Sequence, residues 1–517
     1  MASTSHPGEV KSLSLPNDIL YAIFLLVTES KSRYRYDSID WSQRLAPWNL
    51  AAACKRWRTI CLDSPKLWTD LHYLNHTCST MKPKWGPYDK CVNEVGLRRY
   101  YLALERAKDL PLKVTASIQA KAPECCINML TIAGFRRRNK WSALKIGFTT
   151  AVLISWNRHP TQLTTLQILD FDTYTNGYFY DDPPSPKPGY LSFPRKLASS
   201  LPSIRAVRIS GWNGELSPSE SLESLPDQFP WTSLQALSLH QYTGDADPII
   251  TLLGACDKLQ SFRLHCHNYT TPPEDATLGS EVVSPIQELE IESITFTSQS
   301  PNGPISSIFP YVKTPNLRSM RFGLVCLANF EDEGIVTITD EQAIVGLLWR
   351  SACQVTDIQF EFSQMAFNPD SKVLLQELKH VQTLTLAQRV DLAEGKLNRI
   401  WDCGDSFLDQ LIADDGTPFG LPRLEHLKLR NVTFLPTLLI QIVESRLQDG
   451  YTSIATLDIE FSFSEELAHL PMYRSILNER LETAIQSGLQ INFIDLGSAI
   501  PGSTGVSRHF SQFDDVL

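Results

Sequence analysis

No C-x-x-C spacing occurs among the 11 cysteines, an odd set scattered from Cys54 to Cys403. Zinc ribbons, redox pairs and disulfide frameworks need paired spacing, so these thiols read as reduced packing groups of a cytosolic or nuclear protein. Long apolar runs are missing too. The longest, Ile19 to Val27 with Tyr21 inside it, is 9 residues, against about 20 for a bilayer-spanning helix. A secretory signal there is disfavoured by Asn17 and Asp18 directly before the run, by Glu9 upstream and by the lack of an A-x-A-like site after it. Outside the secretory lumen the sequons at Asn75, Asn268 and Asn431 carry no weight. Positive charge is in deficit: 47 Lys plus Arg face 57 Asp plus Glu, a net charge of −10 and a pI near 5.6. That balance argues against a general binder of nucleic acid or anionic membrane. Arg136-Arg137-Arg138-Asn139-Lys140, the one basic cluster, reads as a solvated turn more readily than as a nuclear address. There is no Walker A loop, no G-x-G-x-x-G and no H-E-x-x-H, so no cofactor or metal is expected.

What is present is core material: 43% of the chain is hydrophobic, 10% aromatic, with 11 Trp, which excludes wholesale disorder. Residues 1–11 form a small, polar tail. Ser14, Pro16 and Asp18 then mark a helix start through a cap, a first-turn proline and an acid at the positive end of the dipole. The helix that follows is apolar nearly all round, more than one shallow core can cover. After a polar stretch from Thr28 to Ala46, Trp48 to Leu62 resumes a helical pattern, with Trp48, Leu50, Cys54, Trp57, Ile60 and Cys61 on one broad stripe. Asp63-Ser64-Pro65 ends it, and Leu67, Trp68 and Leu71 close the segment.

From about Ala143 onward a unit of the form apolar-x-x-apolar-x-apolar recurs. Copies stand at Leu163/Leu166/Ile168, Ile204/Val207/Ile209, Leu234/Leu237/Leu239, Leu259/Phe262/Leu264, Ile286/Leu289/Ile291 and Leu317/Met320/Phe322. They continue at Val355/Ile358/Phe360, Val381/Leu384/Leu386, Leu424/Leu427/Leu429 and Ile454/Leu457/Ile459, with a partial copy at Leu144/Ile146. Strand side chains alternate, so the second and third apolar positions enter a core and the residue between them faces outward. Polar residues at those alternate places favour an open solenoid sheet over a doubly buried one. Helical stretches such as Glu341 to Cys353 and Pro436 to Leu447 lie between strands.

Three separated pieces, Leu15-Pro16-x-x-Ile19-Leu20-x-x-Ile23-Phe24, Leu50-x-x-x-Cys54-x-Arg56-Trp57-Arg58 and Ser64-Pro65-x-Leu67-Trp68, resemble the F-box. With the repeats, the chain looks like the F-box/leucine-rich-repeat proteins abundant in mushroom-forming fungi. The resemblance implies an α/β fold, an N-terminal helical F-box followed by an irregular leucine-rich-repeat solenoid with helices on its convex side. It implies a non-catalytic substrate-recognition subunit of an SCF-type ubiquitin ligase, cytoplasmic or nuclear. A Skp-type adaptor would link it to a cullin-RING ligase while the repeats hold an unknown protein substrate, with neither nucleic acid nor membrane as partner. Carried over by position, Leu15, Pro16, Ile19, Leu20, Ile23 and Phe24 make the first adaptor contact. Leu50, Cys54 and Trp57 are core or contact, and Leu67 and Trp68 close the interface. The expected organisation is a tail (1–11), an F-box-like domain (12–75), a helical connector (76–140), the solenoid (141–497) and a disordered tail (498–517). The repeats lack an Asn at the usual ninth position, which implies irregular turns in place of an Asn ladder. A leucine-rich-repeat scaffold whose F-box no longer docks is the alternative.

The outward residues between the paired core positions are Lys145, Gln167, Arg208, Ser238, Arg263, Glu290, Arg321, Gln359, Thr385, Lys428 and Asp458. Arg208, Arg263 and Arg321, with His240 and His265, are expected to form a positive patch suited to an acidic or phosphorylated target. The aromatic, proline-rich stretch from Tyr174 to Tyr190 is either a binding loop or an inert insertion. Gly404-Asp405-Ser406 imitates a hydrolase start, but its nearest downstream partner, Glu466-Leu-Ala-His469, has the wrong acid. His265, Cys266 and His267 with Cys256 cannot all reach one zinc ion, because adjacent strand residues point to opposite faces.

Overall fold

The computed structural model of the chain describes residues 15–29, 46–73, 101–116, 141–147, 163–172, 201–211, 229–269, 281–293, 303–324, 338–362, 372–388, 407–412, 420–432, 434–447, 452–461 and 464–495. Both expected tails, the basic cluster at 136–140, the 174–190 stretch and Ser406 lie outside these residues. The chain divides into two compact units near residue 146.

The first unit starts with helices α1 (Asn17–Glu29), α2 (Trp48–Ala53) and α3 (Lys55–Asp63) and a short 3-10 turn, Pro65–Trp68. The single helical pattern expected from Trp48 to Leu62 is broken at Cys54, whose backbone is extended (φ −156°, ψ 169°). The break serves α3: the Cys54 sulfur Sγ accepts from the Trp57 N–H at 3.4 Å and caps the new helix. Strands β1 (Asp70–Tyr73), β2 (Leu112–Ala116) and β3 (Trp141–Gly147) follow and pair in parallel in that order. The stretch expected to be a helical connector therefore holds a strand, β2, along with a helix at 101–106. Leu112 and Val114, at the two-residue spacing of a half-buried strand, are what it buries.

The second unit is a repeat array. Its main sheet runs β4 (Ile168–Asp172), β5 (Ala206–Ser210), β6 (Ala236–Gly244), β7 (Ser261–Tyr269), β9 (Glu288–Ser293), β11 (Ser319–Leu324), β12 (Asp357–Phe362), β13 (Thr383–Gln388), β14 (His426–Arg430), β15 (Thr456–Phe461) and β16 (Gln490–Asp495), while β8 (Val282–Val283) and β10 (Val312–Lys313) make a small pair apart. Every pairing is parallel, and each strand lies beside the one before it in this series. The connections carry helices α4 (Asp247–Ala255), α5 (Pro304–Ile308), α6 (Ile338–Ser351), α7 (Lys372–Glu377), α8 (Pro436–Ser445), α9 (Ser464–Arg480) and α10 (Glu482–Gln486). This is the α/β solenoid-like architecture expected from the repeating unit.

The register explains why the pattern was readable. Val207, Leu237, Phe262, Leu289, Met320, Ile358, Leu384, Leu427 and Leu457 stand side by side across the sheet, and all are buried. The next inward row carries Phe322 and Phe360, 5.9 Å apart, flanked by Phe309 and Phe407 from the connecting segments. In most units the first apolar residue ends a one-turn bend, as in Leu234 N–H to the Trp231 carbonyl (3.0 Å) and Leu424 N–H to Leu421 (3.1 Å).

In place of an Asn ladder there is a main-chain one. The carbonyl just before each strand of the main sheet from β4 to β14 accepts from two successive N–H groups of the next repeat: Arg205 from Gln235 (2.7 Å) and Ala236 (3.0 Å), Arg318 from Thr356 (2.8 Å) and Asp357 (3.1 Å), Gln382 from Glu425 (2.8 Å) and His426 (2.9 Å). One repeat was read out of phase. In place of Leu163/Leu166/Ile168, Leu166 is the first apolar residue and Leu169 of β4 the second, so Asp170 faces outward beside Arg208, not Gln167. Strand β16 escaped notice because Gly488 (φ +114°) occupies its first apolar place and Leu489 fills the core one residue late.

Arg446, at the end of α8, is almost fully buried and donates to the carbonyls of Leu421 (2.9 Å), Gly420 (3.1 Å) and Leu411 (3.4 Å). Gly420 and Leu421 both have left-handed backbones (φ +44° and +57°), so the guanidinium holds a turn that the chain does not favour unaided. Arg446→Leu strands those carbonyls and is expected to destabilise the protein by about 1.5–3 kcal/mol, read as a lower urea midpoint. An unchanged midpoint would show the turn to be self-supporting.

Candidate functional site

Two surfaces, one in each unit, carry the candidate chemistry. In the first unit α1 packs on α3 and the 3-10 turn. Its inward residues are Leu20, Phe24 and Thr28, four apart, all buried. Phe24 meets Trp57 edge-on at 5.0 Å, and Trp48 meets Trp68 at 4.8 Å. The Trp68 indole N–H donates to the Cys61 carbonyl (2.7 Å), and the Arg106 guanidinium sits 4.3 Å from the Trp68 ring and 5.0 Å from Trp48. Burial pushes the Cys61 thiol up to about 11, against a pull in the other direction from Arg106. Arg56 donates to Asn17 Oδ1 (2.8 and 3.0 Å) and to the Leu15 carbonyl, tying the start of α3 to the start of α1.

The other side of α1 is apolar and faces solvent. Leu15, Ile19, Ile23, Leu26 and Val27 are all exposed, Ile19 to 45% and Leu26 to 66%. Their spacing of four, four, three and one makes one continuous stripe. This divides the residues that resemblance assigned to adaptor contact. Leu15, Pro16, Ile19, Ile23 and Cys54 are exposed, and Trp57 is half-buried. Leu20, Phe24, Leu67 and Trp68 are core of the unit itself and offer no surface, which corrects their placement in an interface, and Leu50 takes the core place of the two open to it. The reason is geometric: a thirteen-residue helix apolar all round can give only one side to three short partners. Leu26 and Val27, together with exposed Leu62 on α3, were not singled out. The signal for the first two was the all-round apolarity of the helix.

In the second unit the outward residues stand in register as expected: Asp170, Arg208, Ser238, Arg263, Glu290, Arg321, Gln359, Thr385, Lys428, Asp458 and then Asn492. Lys145 belongs to β3, in register with β2. The expected positive patch is instead a ladder of alternating sign. Glu290 lies between Arg263 (3.4 Å) and Arg321 (3.7 Å), and Arg321 also reaches Glu361 (3.0 Å). Neighbouring strands place opposite charges about 5 Å apart, and such pairs form wherever the register allows. His240 and His265 stack with ring centroids 4.4 Å apart beside a bulge in β6, where Gln241 has φ +53°. The Gln241 N–H donates to His265 Nδ1 (3.2 Å). Further along, His426 meets Thr456 (2.7 Å), Lys428 meets Asp458 (3.5 Å), Arg430 meets Glu460 (2.6 Å) and Asn492 donates to Asp458 (2.8 Å).

Among the described residues no group of three or more His, Cys, Asp or Glu could hold a metal ion. Cys256 and Cys266 are buried; burial pushes the Cys256 thiol up to about 12 and raises Cys266 further. Neither is a ready thiolate. The side chains of His267 and His469 lie outside the described residues. Among the described residues no helix is long and apolar enough to cross a membrane.

No family model matches the chain, and no curated protein matches it. Among solved structures it is similar to the yeast complex of Rad7 and Elc1, at 11% identity and a TM-score of 0.28 over 86% of this chain and 88% of that one.

The two sides of α1 make a direct contrast. Phe24→Ala is expected to cost about 3–5 kcal/mol and to unfold the first unit, whereas Ile23→Ala shifts stability by no more than about 0.5 kcal/mol. Thermal unfolding followed at the tryptophans of this unit separates them, and equal effects would mean that the stripe is not solvent-facing.

Proposed function

We propose that this chain is the substrate-recognition subunit of an SCF-type ubiquitin ligase. In this reading a Skp-type adaptor, and through it a cullin-RING ligase, docks on α1, and the outward sheet face holds a target protein. The observation that carries the reading is the exposed stripe of Leu15, Ile19, Ile23, Leu26 and Val27, on a helix whose opposite side already completes the core of its unit. It coincides with the first of three sequence pieces that resemble the F-box. Fully covering a large apolar side chain contributes about 1.5–3 kcal/mol, so four or five of them together reach the same order as association costs of about 4–15 kcal/mol. Chemistry then belongs to the partner ligase, and the chain works as a connector in the cytoplasm or nucleus.

A second reading has its own support. Four of the eight residues that the resemblance assigned to adaptor contact are spent on the internal core, as in a leucine-rich-repeat scaffold whose F-box-like helices no longer dock. Co-purification with a Skp-type adaptor decides between the two. The wild-type chain is expected to bind, and Ile19→Asp with Ile23→Asp to weaken binding at least about a hundredfold without lowering the unfolding temperature, since neither side chain supports the core. Equal binding by the double variant, or none by the wild type, would leave the scaffold reading.

A further inference from the structure

We propose that the edge strand β16 is an interaction surface for a second copy of this chain, the two copies pairing antiparallel about a twofold axis so that their sheets become one. The proposal goes beyond adaptor docking and does not rest on it, because β16 and α1 belong to different units.

Among the described strands, β16 has a neighbour on one side only, β15. The Gln490 N–H donates to the Ala455 carbonyl (2.9 Å). By alternation, the main-chain groups of Gln490, Asn492 and Ile494 turn toward β15, and those of Ile491 and Phe493 turn to the open edge. Such an edge is a template for another strand, and proteins block it with lysine, proline or a bulge. β16 has none of these. Its register with β15 is unbroken, and Gln490-Ile491-Asn492-Phe493-Ile494 holds neither charge nor proline.

The core is unfinished at the same place. Leu457 and Ile459 of β15 are fully buried (0% exposed), whereas Ile491 and Phe493, their partners in register, are only half-buried. Arg474 of α9 lies over the Phe493 ring (5.1 Å) and still leaves it half-open. Ile494 on the outward side and Ile485 of α10 are exposed. The end repeat of a solenoid ordinarily turns a polar face outward. This one turns out apolar side chains together with main-chain groups that no other strand of the sheet takes up.

A second β16 meets both needs. Residues opposite each other in an antiparallel pair lie on the same face, so a twofold axis perpendicular to the sheet passes beside one residue. With Asn492 on the axis, Ile491 of each copy faces Phe493 of the other. Both are hydrogen-bonded pairs, so the open main-chain groups satisfy one another while the apolar side chains close the core across the junction. On the outward side the stem of Gln490 covers Ile494 of the copy. An axis at Phe493 sets Ile491 against Asp495, and an axis at Ile491 calls on Leu489, whose N–H already donates to the Ala484 carbonyl (3.0 Å). The strand is therefore its own complement in one register. A single strand pair covers less than a standard interface, so the dimer is weak, with a dissociation constant on the order of 10 µM.

Sedimentation equilibrium of the full-length chain tests this. The wild type is expected to pass from a 58.3 kDa monomer at about 0.5 µM to a dimer at about 200 µM. The Ile19→Asp, Ile23→Asp chain is expected to do the same, which separates this contact from the α1 stripe. Asn492→Lys sets like charges opposite each other on the axis and is expected to weaken the dimer at least about tenfold, with the unfolding temperature of the dilute monomer kept. Facing residues of a non-hydrogen-bonded pair have Cα atoms about 4.5 Å apart, within disulfide reach. Under mild oxidation Asn492→Cys is expected to give a cross-linked dimer above the wild-type level, and Gln490→Cys is not. A monomer at the higher concentration, a dimer untouched by Asn492→Lys, or equal cross-linking at the two positions would overturn the proposal. In a monomer, exchange protection of the Ile491 and Phe493 amides would assign the edge to the chain's own residues 496–517 and overturn it likewise.

Discussion

One carbonyl per repeat carries the register of the sheet. Placed just before each strand, it accepts from two successive N–H groups of the next repeat, from Gln167 (to Arg205 and Ala206) through Glu425 (to Ala455 and Thr456). A slip of one residue would break this shared acceptor and turn every inward leucine to solvent. Main-chain bonding and apolar burial therefore demand the same alignment, and repeats with irregular connections still add to one another in step. The usual Asn is dispensable because its bonding is taken over by the backbone.

Fixed register has a consequence on the wet side. Residues outside the core are aligned as firmly as those inside it, so charges far apart in sequence become cross-strand neighbours. Arg263, Glu290, Arg321 and Glu361 come from four strands and join into one ladder. A row of arginines in the sequence thus becomes a balanced surface. Its character comes from where each sign stands, not from net charge.

The first unit obeys a different constraint. Its helices are short, and its core is closed by tryptophans with Arg106 laid over two of them. α1 spends Leu20 and Phe24 on that core and keeps Leu15, Ile19, Ile23, Leu26 and Val27 outside. The apolar stripe therefore stands on a helix that is already anchored by its opposite side.

Much of this was legible in the residues. The apolar-x-x-apolar-x-apolar unit located nine strands in phase, and α6 and α8 fall where helical stretches were expected, because periodicity is a local property of the chain. Where local signals misled, a neighbour had overruled them: Leu163/Leu166/Ile168 fits the unit as well as Leu166/Leu169/Phe171 does, and only pairing with β5 selects the second. Cys54 reads as mid-helix, yet it caps α3. Composition and pattern were enough for the class of fold and for the excess of apolar surface on α1. Which side of that helix meets solvent, and which acid neutralises which arginine, depended on contacts between residues tens of positions apart, which no local periodicity encodes.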